Sequence, residues 1–246
     1  MSSVSRASHR DTVVVLTGAG VSADSGVATF RDAGGLWEGH RPEDVATFEA
    51  WERDRAMVWR FYQKRRAQLR SVEPNAAHRA LADFAVRCEH AGVPFLLVTQ
   101  NVDDLHERAG SAALHMHGEL ASLRCERCGA RVRELARVDP DHFVPCAKCG
   151  HEALRPDIVW FGEIPKFLDE IDQAMEQCAH FVAIGTSGNV WPAAGLLGIA
   201  RAAGAATWVQ ALEEPSNLNS RDRFFPGRAT VAVAPMLDRI AEAVDC

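Results

Sequence analysis

The chain has no long apolar run. The longest, Pro94–Val98 and Phe181–Ile184, fall far short of the roughly 20 residues that a membrane-spanning helix needs. It has no excess of basic charge, since 27 Lys and Arg stand against 33 Asp and Glu for a net charge of −6. That balance argues against a dedicated nucleic-acid binder. The 18 glycines and 11 prolines follow no period, which excludes a fibrous chain, and there is no internal repeat or low-complexity tract. Tyrosine occurs once, at Tyr62. The segment Met1–Asp11 is polar and Ser-rich and lacks the apolar core of a secretory signal. We therefore expect a cytoplasmic protein with no membrane partner. In that compartment paired cysteines serve as metal ligands more often than as disulfides.

What is present fits an ordinary folded chain: 47% hydrophobic and 24% charged residues over 246 positions. That length allows one large or two small domains, and the core needs no disulfide staples. Six segments read as buried strands: Thr12–Thr17, Pro94–Gln100, Ala113–Met116, His180–Gly185, Ala206–Leu212 and Ala229–Ala234. Helical stretches lie at Ala76–His90, Asp103–Ala109, Phe167–Cys178, Pro192–Ala203 and Pro235–Val244. Strands alternating with helices predict an α/β fold, an open parallel Rossmann-like sheet with helices on both faces. Two stretches break the rhythm. Residues 38–74 carry a long aromatic and arginine-rich helix, and residues 120–155 are rich in Cys, Arg and Pro with little regular period. We expect a discontinuous dinucleotide-binding domain, 10–37, 75–119 and 156–246. The two insertions would form a small inserted lobe of a helical module and a four-cysteine zinc-ribbon module.

Thr12–Thr17 runs into Gly18-Ala19-Gly20-Val21-Ser22-Ala23, a G-x-G-x-x-A turn directly after a strand. Glycines there allow a sharp turn and close approach of a pyrophosphate at a helix N-terminus. Alone the pattern is equally a tight loop. The acidic ribose ligand about 20 residues on has no clean counterpart, because Glu38 follows no second strand.

Cys125, Cys128, Cys146 and Cys149 form C-x2-C-x17-C-x2-C, with Gly129 and Gly150 as turn residues after each pair. Two such knuckles suit a tetrahedral zinc site, and four protein ligands leave no open position, so the metal would be structural. A nucleic-acid-binding ribbon is the rival use of the same spacing. Cys88, Cys178 and Cys246 fall outside the pattern.

His115 and His117 flank Met116 at a strand end and point the same way at a period of two. Gln100, Asn101 and Asp103 leave a strand at its carboxyl end, where α/β sheets bind ligands. Asp103 would also cap the helix that begins there. Val58, Tyr62, Arg65 and Leu69 make one helical stripe that should face the protein, yet it carries an arginine. A guanidinium and a phenol converging at i, i+3 suit a carboxylate. The alternative is an internal Arg65–Glu pair beside a core tyrosine. Arg53, Arg55, Arg60, Lys64, Arg66 and Arg70 read as a solvated face.

The stretch GAGVSADSGVATFRDAGGLW at 18–37 strongly resembles the sirtuin family of NAD-dependent protein deacylases. TQNVDDLHERAG at 99–110, HMHGE at 115–119, VWFGE at 159–163 and GTSGNVWPAA at 185–194 follow in family order, and the likeness covers nearly the whole chain from residue 12. The resemblance implies NAD as co-substrate and one structural zinc ion. It implies a reaction in which an acyl-lysine carbonyl attacks ribose C1′ as nicotinamide leaves, giving an alkylimidate. A ribose hydroxyl, activated by His117 as general base, then attacks the imidate carbon. The products are free lysine, nicotinamide and 2′-O-acyl-ADP-ribose.

By the same resemblance Asn101 and Asp103 hold the nicotinamide carboxamide and Gln100 contacts the ribose. Gly18, Ala19, Gly20, Ser22, Ser25, Thr29, Phe30, Arg31 and Trp37 form the cofactor loop, with Phe30 shielding nicotinamide and Arg31 ordering the loop. Gly185, Thr186 and Ser187 meet the adenosine half. The family commonly carries Asn-Leu-Glu-Pro after the penultimate strand. Here Leu212 takes the Asn place, which leaves Glu213, Glu214 and Ala229 as candidate adenosine contacts.

Tyr62 and Arg65 resemble the class III branch, which removes succinyl and malonyl groups, and Ala46 matches a small residue that leaves room for the longer chain. Val159, Trp160, Phe161 and Gly162 would line a groove in which an extended substrate adds as a strand. Trp160 and Phe161 are equally read as core aromatics. The expectation is a monomeric deacylase acting on acylated-lysine proteins, on succinyl and malonyl groups and more weakly on acetyl. The alternatives are a protein deacetylase and a non-catalytic NAD- or ADP-ribose-binding module.

Overall fold

The computed structural model describes residues 11–28, 39–133, 135 and 137–246. Nine strands run in chain order as β1 (Thr12–Thr17), β2 (Phe95–Thr99), β3 (Leu114–His115), β4 (Gly118–Arg124), β5 (Arg131–Arg133), β6 (Arg155–Ile158), β7 (Cys178–Ile184), β8 (Ala206–Ala211) and β9 (Arg223–Pro226). The α-helices are α1 (Pro42–Val45), α2 (Phe48–Arg53), α3 (Arg55–Leu69), α4 (Ala76–Ala91), α5 (Leu105–Ala109), α6 (Leu168–Glu176), α7 (Ala193–Ala202) and α8 (Ala229–Val244).

Six strands form one parallel sheet in the order β3-β2-β1-β7-β8-β9. The chain steps outward from β1 in one direction, returns, and steps outward in the other. That reversal opens a crevice at the carboxyl ends of β1 and β7. Successive residues of β1 serve opposite faces. Val13 and Val15 pack with Leu81 and Phe84 of α4 and with Val233 and Ile240 of α8. Val14 and Leu16 pack with Ile171 of α6 and with Leu196 and Ala200 of α7. Covered on both faces, the strand has no reason to alternate in polarity, and TVVVLT does not.

Two expectations about this sheet are corrected. Ala229–Ala234 is the first turns of α8 rather than a strand, and the edge strand is Arg223–Pro226. The buried residues Ala229, Val233, Met236, Leu237 and Ile240 keep a helical spacing that extends beyond the short apolar run. A six-residue window cannot distinguish that stripe from a strand. The edge strand RFFP carries one arginine, two half-buried phenylalanines and a proline, too little pattern to register. The glycine turn after β1 also differs from expectation. It leads into two short 3-10 turns, Ala19–Val21 and Ala23–Ser25, not into a helix of useful length.

The region 120–155, expected to be irregular, carries most of a three-stranded antiparallel sheet in the order β5-β4-β6. Gly118 opens β4 at φ +83°, and a Cβ there would collide with the Asp157 carbonyl of β6. A third core cluster joins Trp51, Val58, Trp59, Phe61 and Tyr62 to Leu120, Leu123, Leu154, Ile158 and Trp160. Helix α3 lies inside this cluster, which leaves less of it in water than expected. Val58, Tyr62, Arg65 and Leu69 are buried, as the stripe predicts. Arg66, read as solvated, is buried as well, while Arg53, Arg60, Lys64 and Arg70 are exposed. Cys88 and Cys178 are core residues. Among the described residues, no helix is long and apolar enough to cross a membrane.

Candidate active site

A cavity of about 640 Å³ lies between the carboxyl ends of the parallel strands and the α3–β6 cluster. It gathers residues from distant parts of the chain. Gly18, Ala19 and Gly20 follow β1, Gln100, Asn101 and Asp103 follow β2, and His117 follows β3. Gly185, Thr186 and Ser187 follow β7, Leu212 and Glu213 follow β8, and Ala229 opens α8. Ala46, Tyr62, Arg65, Val159, Trp160, Phe161 and Gly162 form the opposite wall. Ser22, Ser25 and Glu214 are not on the wall. Thr29, Phe30, Arg31 and Trp37 lie outside the described residues, as does Glu38.

The glycines serve a different contact from the one their motif suggests. A Cβ on Gly20 would stand 2.7 Å from the Gly185 Cα, and one on Gly18 would stand 2.9 Å from the Gly185 carbonyl oxygen. Gly185 itself has φ +62°, and a Cβ there would strike the backbone nitrogen of Val21. The two strand-end loops therefore lock backbone to backbone, joined by Gly20 N donating to Gly185 O at 3.0 Å. Close loop packing, rather than an approaching ligand alone, demands glycine at these positions.

Beneath the Asn101–Asp103 turn lies a closed polar network. Ser22 Oγ donates to Asp103 Oδ2 at 3.0 Å and accepts from Asn101 Nδ2 at 3.1 Å. His78 Nδ1 accepts from the Asn75 amide at 3.2 Å, so its Nε2 carries the proton and donates to Ser22 Oγ at 3.3 Å. The serine hydroxyl thus has its donor and both acceptor sites filled. Asp103 Oδ1 accepts from the Leu105 amide at 3.2 Å, so it satisfies the first amide of α5 from one residue before the N-cap; the N-cap itself is Asp104, not Asp103 as expected. Burial raises the Asp103 pKa, with the Leu105 and Ser22 donors pulling against it. On the other side, His106 Nε2 donates to Thr17 Oγ1 at 3.0 Å, Thr17 to Thr99 at 2.8 Å, and the Asn101 amide to Thr99 Oγ1 at 3.0 Å. Thr17 spends its single hydroxyl proton on Thr99, which makes the histidine the donor.

His78 and His106 carry no obvious signal in the sequence. One hint exists for His78, which sits three residues after the helix-capping Asn75 and closes the cap. Burial pulls the two pKa values down to about 4 and about 3, helped by Arg79 at His78 and by His78 at His106. Both are therefore neutral when folded and would bind protons near pH 6.5 when unfolded. The unfolded chain binds more protons between these limits, so stability rises with pH there. It is full above about pH 6.5 and lost as pH falls toward 4. Melting followed from pH 7.5 to 4.5 should show this decline, and His78→Gln should make it shallower. An unchanged slope in that variant would refute the assignment.

The two histidines of HMHGE do different work. His115 Nδ1 donates to the Asn101 carbonyl at 3.0 Å and Nε2 to Glu107 Oε1 at 3.0 Å. Burial lowers its pKa, but the hydrogen bond and charge of Glu107 outweigh this and raise it overall. With both nitrogens donating, it is a cationic strut under the turn. His117 has one protein partner among the described hydrogen bonds, Nδ1 donating to the Gln100 carbonyl at 3.1 Å. That contact selects the tautomer whose Nε2 lone pair is available on the cavity side. Burial lowers the His117 pKa against the opposing pull of the Gln100 hydrogen bond, and the net shift favours the neutral ring.

On the far wall Tyr62 is fully buried and accepts from Trp160 Nε1 at 2.9 Å. Trp160 is a core aromatic at 1% exposure, whereas Phe161 is 51% exposed at the rim. The Phe161 amide donates to the Ala46 carbonyl at 2.9 Å, so that amide is already used within the protein. Ser187 Oγ accepts from the Asn189 amide at 3.3 Å, and Leu212 is 71% exposed.

The Sir2 family matches residues 18–192 of this chain. An NAD-dependent protein deacylase of Bdellovibrio bacteriovorus is 53% identical over 76% of this chain and 80% of its own length. The NAD-dependent protein deacylase SIR2rp3 of Trypanosoma brucei brucei is 49% identical over 93% of this chain and 94% of its own. The chain belongs to the Sir2 family. Solved Sir2 homologues share the architecture. One in complex with NAD aligns at 37% identity and a TM-score of 0.82, covering 95% of this chain and 90% of that chain. One bound to ADP-ribose aligns at a TM-score of 0.84.

The residues of this Sir2 chain fit both expected groups. For NAD, the crevice at the strand reversal offers backbone amides, polar side chains and a neutral histidine. For zinc, the Sγ atoms of Cys125, Cys128, Cys146 and Cys149 all lie within 4.8 Å of one another, with Cys125–Cys149 and Cys128–Cys146 at 3.6 Å. Tetrahedral thiolates at a zinc–sulfur distance of about 2.3 Å would be roughly 3.8 Å apart. Each knuckle closes alike: Gly129 N donates to Cys125 O at 3.0 Å, and Gly150 N to Cys146 O at 2.9 Å. None of the four cysteines lines the cavity, so a metal there is structural for this Sir2 chain.

Proposed function

We propose that this chain removes succinyl and malonyl groups from lysine side chains of proteins, and acetyl groups more weakly. Its family and its NAD-dependent deacylase relatives make it an NAD-dependent protein deacylase. The finer reading is carried by one observation: Tyr62 and Arg65, a phenol and a buried guanidinium, share the wall of the cavity that holds His117. A buried cation beside a phenol is poorly suited to a methyl group and well suited to a carboxylate. Ala46 adds little bulk to that wall.

NAD, when bound, would supply the electrophilic ribose carbon that the acyl oxygen meets and the ribose hydroxyl that finally carries the acyl group. In our reading Asn101 and Asp103 hold the carboxamide of the leaving nicotinamide, and Ser22 with His78 fixes their side chains. His117 Nε2 takes a proton from a ribose hydroxyl, while the Gln100 carbonyl holds the ring in the needed tautomer. The segments 10–37, 75–119 and 156–246 would bind NAD. The segments 38–74 and 120–155 would form the small lobe that carries the acyl end.

The test is a parallel assay of acetyl-, malonyl- and succinyl-lysine peptides of one sequence, following nicotinamide release with NAD. The wild-type chain should favour the acidic acyl groups. Arg65→Met should cut kcat/KM for the succinyl peptide about 10²-fold relative to acetyl, the size expected for a charge-assisted contact of about 1.5–3 kcal/mol. Equal losses on both peptides would mean that Arg65 is structural and that the chain is a general deacetylase.

A further inference from the structure

We propose that Cys88 and Cys246 are a redox-sensitive thiol pair, which a peroxide converts into a reversible disulfide that clips the carboxyl end of α4 to that of α8. Neither thiol belongs to the cysteine quartet, and neither lines the cavity. Their sulfurs lie 3.8 Å apart although 158 positions separate them in sequence. Several bonds hold them there. Cys88, in the last turn of α4, is fully buried in the core cluster that α4 and α8 share, and Cys246 packs against that cluster. Asp245 ends α8 at φ +56°, and the Cys246 amide donates back to the Ala241 carbonyl at 3.0 Å. This closure of the helix end fixes where residue 246 lies. Arg87, the neighbour of Cys88, donates to the Cys246 main-chain oxygen at 3.0 Å and to Asp238 of α8 at 3.0 Å.

The two thiols differ in a way that orders the chemistry. Cys88 is closed off from solvent, and burial together with the neighbouring Cys246 raises its pKa. Cys246 is only partly buried, so it is the thiol that meets the oxidant. It loses its proton and attacks one oxygen of hydrogen peroxide. The O–O bond breaks, Cys246 becomes a sulfenic acid, and the released hydroxide takes up the proton as water. The Cys88 sulfur then attacks the Cys246 sulfur. The displaced hydroxide leaves with the Cys88 proton as a second water, and the S–S bond forms. Each sulfur gives up one electron and the peroxide gains two. An added dithiol reverses the step by exchange. The link closes a long loop, which restricts the unfolded chain. It lies away from the crevice: α4 is capped by Gly92 just before β2 starts at Phe95, whereas the cavity lies at the carboxyl ends of the strands. The clip should therefore stabilise the fold without altering catalysis.

The test treats the full chain with a few equivalents of hydrogen peroxide and maps its tryptic peptides without reductant. A peptide pair carrying Cys88 and Cys246 should appear, lighter by two hydrogens than the separate peptides, at a dose that leaves Cys125, Cys128, Cys146 and Cys149 reduced. The melting temperature at that dose should rise by about 5–10 °C and return after a dithiol is added. Deacylation should stay within about twofold of the untreated chain. Cys246→Ser should form no link and show no rise. Cys88→Ser should instead accumulate the Cys246 sulfenic acid, which dimedone traps. If Cys88→Ser fails to fold, Cys246→Ser carries the comparison alone, because its side chain is only partly buried. Oxidation of the quartet before any link appears would overturn the inference, as would Cys246 oxidised without joining Cys88. A link that leaves the melting temperature unchanged would equally overturn the clip.

Discussion

His117→Ala should reduce NAD-dependent deacylation by about 10²–10⁴-fold, the usual contribution of a general base, with the melting temperature within a few degrees of wild type. The structure gives two reasons. His117 contributes one hydrogen bond to the fold, so its loss removes little stability. It is also the histidine of the pair left with an available nitrogen lone pair. The wild-type kcat/KM should fall as pH drops, with an acid limb below pH 6.5, because burial lowers the His117 pKa and only the neutral ring accepts a proton. The variant's residual rate should lose that limb. His115 is the control. Against burial, Glu107 raises its pKa and favours the protonated ring, and both its nitrogens are engaged by Asn101 and Glu107, which leaves no lone pair for a base. Retention of more than about a tenth of wild-type activity in His117→Ala would end the assignment.

The contrast between these two histidines marks how far the sequence can be read. HMHGE at a strand end placed both near a cleft, and alternation suggested one direction for both. The strand ends at His115, so the period of two stops before His117. One ring therefore enters the buried turn and the other faces the cavity. Strand periodicity carries no information past the strand.

The same limit explains α8. The run Ala229–Ala234 mixes small and β-branched residues and resembles a strand over six positions, and the helical stripe emerges only when Met236, Leu237 and Ile240 are included. Pro235 favours a helix that starts there, because proline suits a first turn rather than a helix interior. The glycine motif was legible in place but not in cause. Its spacing announced a tight turn, whereas its partner, Gly185, lies some 165 residues away and was visible only as a second turn. Long-range backbone contact of this kind leaves glycines in the sequence without saying what they touch.

Buried charge was the hardest to read. Tyr62 and Arg65 stood out because a stripe that should be apolar held an arginine. Arg66, one step away, was indistinguishable from its exposed neighbours until α3 was seen enclosed by the α2–β6 cluster. Arg155 sits in a Pro- and Cys-rich stretch with no period, yet it is the cation under the Trp160 ring. Composition can mark an arginine as out of place only when a regular element gives it a face to be out of place on.

Cys125→Ala should destabilise the chain by about 3 kcal/mol or more, lowering the melting temperature by roughly 10 °C for a protein of this length. The cysteine pairs are knuckles at opposite ends of a segment that Phe143 and the Asp139 carbonyl fasten to Trp59. Cys125 follows β4, Cys146 and Cys149 precede β6, and all three residues of the short β5 between them are exposed. Cys125 and Cys146 are also buried within the cluster that holds Trp51, Trp160 and Tyr62. A metal bound to all four thiolates ties β4 to the approach of β6. It thereby supports the wall that holds Tyr62 and Trp160, without touching the cavity. Three remaining ligands hold zinc more weakly, and added zinc should restore only part of the lost stability. A strong chelator should lower the wild-type melting temperature by a similar amount and leave Cys125→Ala nearly unaffected. Cys88→Ser, distant from the quartet and near Cys246, should not alter the response to chelator. Elemental analysis that finds no zinc in a chain melting normally would remove the metal from this account. The four thiols would then be a reduced, close-packed cluster.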